Sequence, residues 1–345
     1  MTTLQWTSIR NQRKRGASRL LNQMLSVYGL AALLMALPLG ALAQSQGSTK
    51  TEPITKGQRM FTCSHSFHAF VYPLVDEMAK SAGIPDHQSV GRSSIGGSRV
   101  IQHWEVPDEK NEAKAALKAG KVDVLTLSPI WLVPQPGLSL GVQRKKGEKD
   151  PNTVPIYWLP DDGIEKFARL GIEHNPNIRI TVQEYWLPND EYVPVYPLQT
   201  KKKVDHDAAT VDSLSKAYNG YFHDVDEYVR KLNKQLGKDA VLVVPVGQAV
   251  LKLREKIIAG QAPGLTKQSE LFRDNWGHPT VPMQVLSGYC HFAVIYRRSP
   301  VGLPLSPTLA KGKAKNPGWD EKLDHLLQEL AWEAVIHHPL SGVSQ

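Results

Sequence analysis

The chain has 345 residues, 41% hydrophobic and 21% charged, proportions of an ordinary globular protein long enough to bury a substantial core. Its net charge of +8 includes five positive charges at Arg10, Arg13, Lys14, Arg15 and Arg19, ahead of any acidic residue. Without them the balance is +3, which removes most of the electrostatic case for a nucleic-acid partner.

Those five charges precede the apolar Met24–Leu39 (MLSVYGLAALLMALPL) and Ala-Leu-Ala at 41–43. A basic stretch, an apolar stretch and a small-residue site in that order predict a secretory signal peptide over residues 1–43, cleaved near Ala43, and a secreted or periplasmic protein. An uncleaved anchor helix is the competing reading; the apolar run is short for a bilayer and carries Pro38. No cysteine follows the cleavage site, against a lipoprotein. No other stretch is long and apolar enough to span, so no membrane span is expected after cleavage.

Residues 44–56 are polar and read as a flexible leader to a domain over 57–340. Within it strands and helices alternate. Arg59–Thr62 is a short strand and Ala69–Ser81 a helix with Phe70, Leu74, Val75 and Met78 on one face. His87–Gly91 is a second strand, followed by the turn Gly91–Gly97. Ser98–Trp104 and Asn111–Ala119 read as helices, Val122–Leu127 as a buried strand, Ile164–Glu173 as a helix and Ile178–Glu184 as a fourth strand. Leu214–Leu236 is a long amphipathic helix, Ala240–Val244 a fifth strand and Val250–Ile258 a helix; Met283–Tyr296 and Lys322–Ile336 close the chain as helices. Apolar, β-branched strands alternating with helices predict a central parallel sheet in an α/β/α sandwich. Long insertions at 128–162 and 185–213 follow strand ends, the side on which such sheets bind ligands.

The strand-ending segments hold the chemistry-bearing residues. They are Ser64-His65-Ser66-Phe67, Gly96-Gly97-Ser98, Ser128-Pro129-Ile130-Trp131 and Tyr185-Trp186; Asp274 and His278 stand in a late loop. A serine nucleophile needs a base, a carboxylate to orient that base, and donors for the oxyanion. Ser66 offers the hydroxyl, His278 the base and Asp274 its partner. Backbone N–H groups at Ser66 and at Gly96 or Gly97 offer oxyanion donors, glycine because its backbone can approach a carbonyl closely.

Ser-Phe after the first strand, Gly-Gly after the second and an Asp/His pair near the C-terminus resemble the SGNH (GDSL-type) hydrolase superfamily. The run Asp274-Asn-Trp-Gly-His-Pro-Thr, with Gly288-Tyr and Tyr296-Arg-Arg-Ser-Pro-Val-Gly-Leu303, looks like its secreted bacterial members. The resemblance spans roughly residues 57–303 by element order and implies a flavodoxin-like sheet and ester hydrolysis through an acyl-serine. It carries the nucleophile to Ser66, the second-block glycine to Gly97 and the base to His278. Ser64-His65-Ser66 stands where the family has Gly-Asp/Asn-Ser. Asn275 occupies the usual acid position, one residue after Asp274. Gly-x-Asn-Asp after the third strand is missing, with the hydroxyl of Ser128 the candidate replacement for the lost oxyanion asparagine. This chemistry needs no metal or organic cofactor.

Other readings accompany these. Ser66 also suits the cap of a helix beginning at Phe67, and Asp274 the cap of a turn. Cys63, His65 and His68, completed by His278 or His103, would suit zinc, but no second ligand pair has zinc-site spacing. Cys63 and Cys290 either pair in an oxidising compartment or remain buried thiols. His337 and His338 read as surface residues. Trp104, Trp131, Trp186 and Trp276 fall in or beyond the segments around the site and suit stacking on sugar rings, or core packing. Lys201–Lys203 is either a lure for an acidic polysaccharide or a solvated charge run. The predicted function is a secreted serine esterase acting on a small-molecule or polysaccharide ester, an acyl group on carbohydrate foremost. The alternative is a catalytically degenerate relative that binds glycan.

Overall fold

The computed structural model describes residues 51–129, 162–191 and 203–344. The segment read as a signal peptide, Trp131, Lys201, Lys202 and most of both long insertions lie outside the described residues.

Five strands form one parallel sheet in the order β2-β1-β3-β4-β5. They are β1 (Arg59–Ser64), β2 (Gln88–Ser94), β3 (Val124–Leu127), β4 (Arg179–Gln183) and β5 (Val241–Val244). This is the flavodoxin-like order, in which the chain reverses direction between β2 and β3 across β1. β3 and β5 are buried at every position because a parallel sheet is covered on both faces. β2 is the exception. Its sequence, QSVGRSS, is polar and half exposed, and it continues to Ser94, past Gly91 where the apolar pattern stops. Only one neighbour and one covered face are needed at an edge, so hydrophobicity underreports its length. Register pairs Ser64 with Ser94 and Cys63 with Leu127, so the turns after β1, β2 and β3 leave the sheet at one level.

The helices are α1 (Val71–Ser81), α2 (Val100–Trp104), α3 (Glu112–Lys118), α4 (Gly163–His174), α5 (Val211–Leu236), α6 (Val246–Ile258), α7 (Val281–Tyr296), α8 (Pro307–Gly312) and α9 (Glu321–His337). α1, α6, α7 and α9 pack together, and α2, α3 and α4 pack together; right-handed crossovers put these groups on opposite faces of the sheet. α7 is apolar around nearly its whole circumference and buried from Pro282 to Tyr296 except at Gln284, because α1, α6 and α9 surround it. α6 begins at Val246, four residues before the periodicity suggests. The chain passes from β5 over Pro245 directly into the helix, and the continuous apolar run hides the boundary. No helix among the described residues is long and apolar enough to cross a membrane.

One open alternative is resolved and two expectations change. Cys63 and Cys290 are both buried and unpaired, and burial raises both thiols above their ordinary range. Thr51 and Ile54, within the stretch read as a leader, are tied to the domain: the Thr51 amide donates to the Ser344 carbonyl at 3.2 Å and the Ile54 amide to that of Tyr296 at 2.8 Å. His338 is buried rather than on the surface.

His338 belongs to a polar cluster beyond the end of β4. The buried Glu184 carboxylate accepts from the Gln248 amide at 3.1 Å and from Gln248 Nε2 at 3.3 Å, at the start of α6. His338 Nε2 lies 3.9 Å from Glu184 and 3.3 Å from Asp226, which also pairs with Arg230 at 2.8 Å. Burial pushes the Glu184 carboxyl up to about 7, against the opposing pull of His338 and Gln248. The unfolded chain loses this proton near the ordinary glutamate value while the folded chain keeps it to about 7. Stability therefore falls as pH rises through that interval, by at most on the order of 3 kcal/mol. Urea titrations at pH 5 and pH 8 are expected to differ less for Glu184→Gln than for the wild type; an equal difference would assign the slope to other groups.

Candidate active site

The turn between β1 and α1 alternates inward and outward side chains. His65 and His68 point in and are buried, whereas Ser66 between them is exposed. The amides of His68 and Ala69 both donate to the His65 carbonyl, at 3.0 and 2.9 Å, closing the turn. His68 is braced from the sheet, with Nδ1 2.8 Å from Gln183 Oε1 at the end of β4 and Nε2 3.1 Å from Thr126 Oγ1 on β3. Burial lowers His68 to about 4, so it is a neutral strut. A turn whose flanking residues are anchored inward holds the hydroxyl of Ser66 outward.

His278 reaches that hydroxyl from the other end of the chain. Its Nε2 is 2.9 Å from Ser66 Oγ, and its Nδ1 is 2.8 and 3.0 Å from the two carboxylate oxygens of Asp274. The four-residue spacing, one longer than the family's, is absorbed by the loop. Asp274 Oδ1 accepts from the amides of Trp276 and His278 at 3.0 and 3.2 Å, and Gly277 takes φ +79°. A Cβ at Gly277 would also stand 2.5 Å from Pro188, so glycine is required there by conformation and by space. The loop is closed at its base by the bridge between Phe272 and Pro279. Partial burial pulls the Asp274 carboxyl up, but the His278 amide, the His278 ring and the Trp276 amide outweigh it and hold it below the usual carboxylate range.

Two aromatic rings lock the serine turn to the histidine loop. Phe67 meets the His278 ring edge-on at 4.9 Å and stacks on Trp186 at 5.3 Å. Trp186 Nε1 donates to the Gly277 carbonyl at 2.9 Å. Trp186 is completely buried and so is not a surface for sugar. Its segment is suspended from α5: the Tyr185 amide donates to Tyr221 Oη at 2.8 Å and the Leu187 amide to Tyr218 Oη at 3.0 Å. Just beyond, buried Arg254 forks onto Asp190 and also donates to Gln268 at 2.7 Å. None of these anchors is legible in sequence, because the partners lie 14 to 91 residues apart with no motif between them.

Gly96 and Gly97 leave the sheet beside Ser64: the Ile95 amide donates to the Ser64 carbonyl at 3.0 Å. Gly97 has φ +61° and open space where a side chain would stand. His103 fastens this turn from behind, with its ring nitrogens 2.7 Å from Ser93 Oγ and 2.8 Å from Ser98 Oγ; burial lowers it to about 4. Across β1, Ser128 follows β3, buried, its hydroxyl bonded to that of Tyr185, which lies 2.5 Å from His65 Nε2.

The ring nitrogens of His65, His68, His103 and His278 thus have protein partners, and among the described residues no three His, Cys, Asp or Glu side chains cluster as a metal would need. The zinc grouping of Cys63, His65 and His68 is not assembled. Trp104 packs edge-on against Phe167 at 5.1 Å with Lys114 over its face, a structural setting. Trp276, 59% exposed, is next but one to His278 and presents its ring to solvent.

No family model matches the sequence, and no curated protein matches it. Three solved structures align with this chain at low identity. A DUF4886 family protein from Bacteroides uniformis aligns over 82% of this chain and 95% of its own, with 13% identity and a TM-score of 0.47. A proposed SGNH hydrolase from Slackia heliotrinireducens aligns over 68% and 97%, with 15% identity and a TM-score of 0.38. A proposed GDSL-like lipase from Parabacteroides merdae aligns over 69% and 94%, with 12% identity and a TM-score of 0.37. Likeness at this level speaks to neither activity nor substrate, which must be argued from the chain's own residues.

Proposed function

We propose that the protein is a serine-dependent ester hydrolase of SGNH type, exported by its N-terminal segment and acting on an acyl ester of carbohydrate. The observation that carries this reading is the pair of bonds made by one imidazole, 2.9 Å to Ser66 Oγ and 2.8 Å to Asp274. A cap or packing role for these residues would not need a histidine joining an exposed hydroxyl to a carboxylate 208 residues away.

In the proposed reaction Ser66 Oγ attacks the ester carbonyl carbon and its proton passes to His278 Nε2. Asp274 holds the Nδ1–H and stabilises the imidazolium that forms. The carbonyl oxygen becomes an oxyanion, met by the N–H groups of Ser66 and of Gly96 or Gly97 and by the Ser128 hydroxyl. Collapse breaks the bond to the alcohol, which leaves with the proton from His278. Water then gives His278 a proton and attacks the acyl-Ser66, releasing the carboxylic acid and restoring the serine. The carbohydrate part of the proposal is supported by Trp276, whose exposed ring beside the histidine suits the face of a sugar.

A fluorophosphonate is expected to label the mature protein at Ser66, located by peptide mass spectrometry, with labelling lost in Ser66→Ala and slowed by about 10³-fold or more in His278→Ala. No label, under conditions where a known serine esterase reacts, would overturn the hydrolase; glycan binding that survives His278→Ala would then establish the glycan-binding alternative. Asp274→Asn is expected to lower kcat by about 10²-fold or more with little change in KM, since it loses the anion that stabilises the imidazolium. For Trp276→Ala we expect a raised KM for acetylated oligosaccharides and an unchanged KM for p-nitrophenyl acetate; equal effects on both would remove the argument for sugar.

A further inference from the structure

The Ser128 hydroxyl stands at the end of a buried chain of hydrogen bonds whose direction can be read. The Phe67 amide donates to His65 Nδ1 at 3.2 Å, so that nitrogen carries no proton. Burial, with smaller contributions from His68, His103 and His278, lowers His65 to about 3, and the ring is neutral with its proton on Nε2. Nε2 therefore donates to Tyr185 Oη, 2.5 Å away. Burial raises the Tyr185 phenol above its ordinary range, so it keeps its single proton. With its oxygen accepting from His65, Tyr185 gives that proton to its other partner, Ser128 Oγ. The opposite direction would need a proton on His65 Nδ1, facing the Phe67 N–H.

Ser128 thus accepts from Tyr185 and has its own proton left to give. Strand register sets where it stands. Cys63 pairs with Leu127, so Ser128 comes off β3 beside the start of the nucleophile turn, while Gly96 and Gly97 come off β2 on the other flank. We propose that His65 and Tyr185 are positioning residues which fix the direction of this chain, leaving the Ser128 hydroxyl as an obligate donor to the ester oxyanion. The inference rests on the hydrolase reading and replaces a side-chain amide donor by a serine whose proton is directed from behind. The Tyr185 ring is held for the task, stacked on His65 at 5.5 Å, with its backbone N–H donating a hydrogen bond to Tyr221 Oη.

The test uses the mature protein and p-nitrophenyl acetate, after wild-type labelling at Ser66. Ser128→Ala is expected to lower kcat by about 10²–10³-fold at nearly constant KM. Tyr185→Phe keeps the ring and removes the hydroxyl, and is expected to lower kcat about tenfold or more. The double variant should match Ser128→Ala alone, because Tyr185 acts only through Ser128. His65→Leu should resemble Tyr185→Phe, and His65→Gln, whose amide can donate to Tyr185, should recover most of that loss. Melting temperatures identify any variant that fails to fold, in which case the Tyr185→Phe cycle decides. Ser128→Ala within about threefold of wild type, or additive losses in the double variant, would overturn the proposal while leaving the hydrolase intact. A wild type that neither labels nor turns over would overturn both.

Discussion

The hydrogen bond from the Trp186 indole to the Gly277 carbonyl is the contact on which the site depends. Ser66 and His278 are 212 residues apart in the chain, and nothing local holds one against the other. Trp186 closes that gap from β4, with one edge on the histidine loop and one face on Phe67 of the serine turn. A bond buried away from water is costly to leave unmade, so the two loops are held in register by the penalty for separating them. Gly277 completes the arrangement, since its backbone conformation turns the carbonyl inward and its missing side chain admits Pro188.

Histidine serves two opposite purposes in this protein, and burial sorts them. His65, His68, His103 and His291 are enclosed and driven toward the neutral form by desolvation, which makes them fixed dipoles. His65, His68 and His103 brace the turns that carry Ser66 and the Gly96-Gly97 pair. His278 is partly exposed and faces the Asp274 carboxylate on one side and the Ser66 hydroxyl on the other. A rigid neutral scaffold and the ring that joins Ser66 to Asp274 are therefore built from the same side chain.

Much of the fold is legible in the sequence because each central strand is a short apolar run and helices such as α1, α4 and α5 show a buried stripe. The order of Ser66, Gly97 and His278 along those elements was enough to group them, since parallel strands deliver their following loops to one end of the sheet. The tryptophans were not sortable that way. Trp186 and Trp276 both stand in irregular segments, where no periodicity separates a core ring from an exposed one, and only contacts with Phe67 and Gly277 distinguish them. The burial of His338 is equally hidden, since its neighbours Glu184 and Asp226 are distant in sequence. The edge strand β2 was truncated because polarity at a half-covered position carries no strand signal.

The two unpaired cysteines have a consequence for how the molecule is made. Cys63 lies on β1 and Cys290 on α7, both enclosed by the core. The fold is held without a disulfide between them. With their pKa values raised by burial, the thiols present little thiolate to oxidants or alkylating agents while the core is closed. Their reactivity is consequently a clock for opening of the domain, one set in the central sheet and the other in the helix layer that covers it.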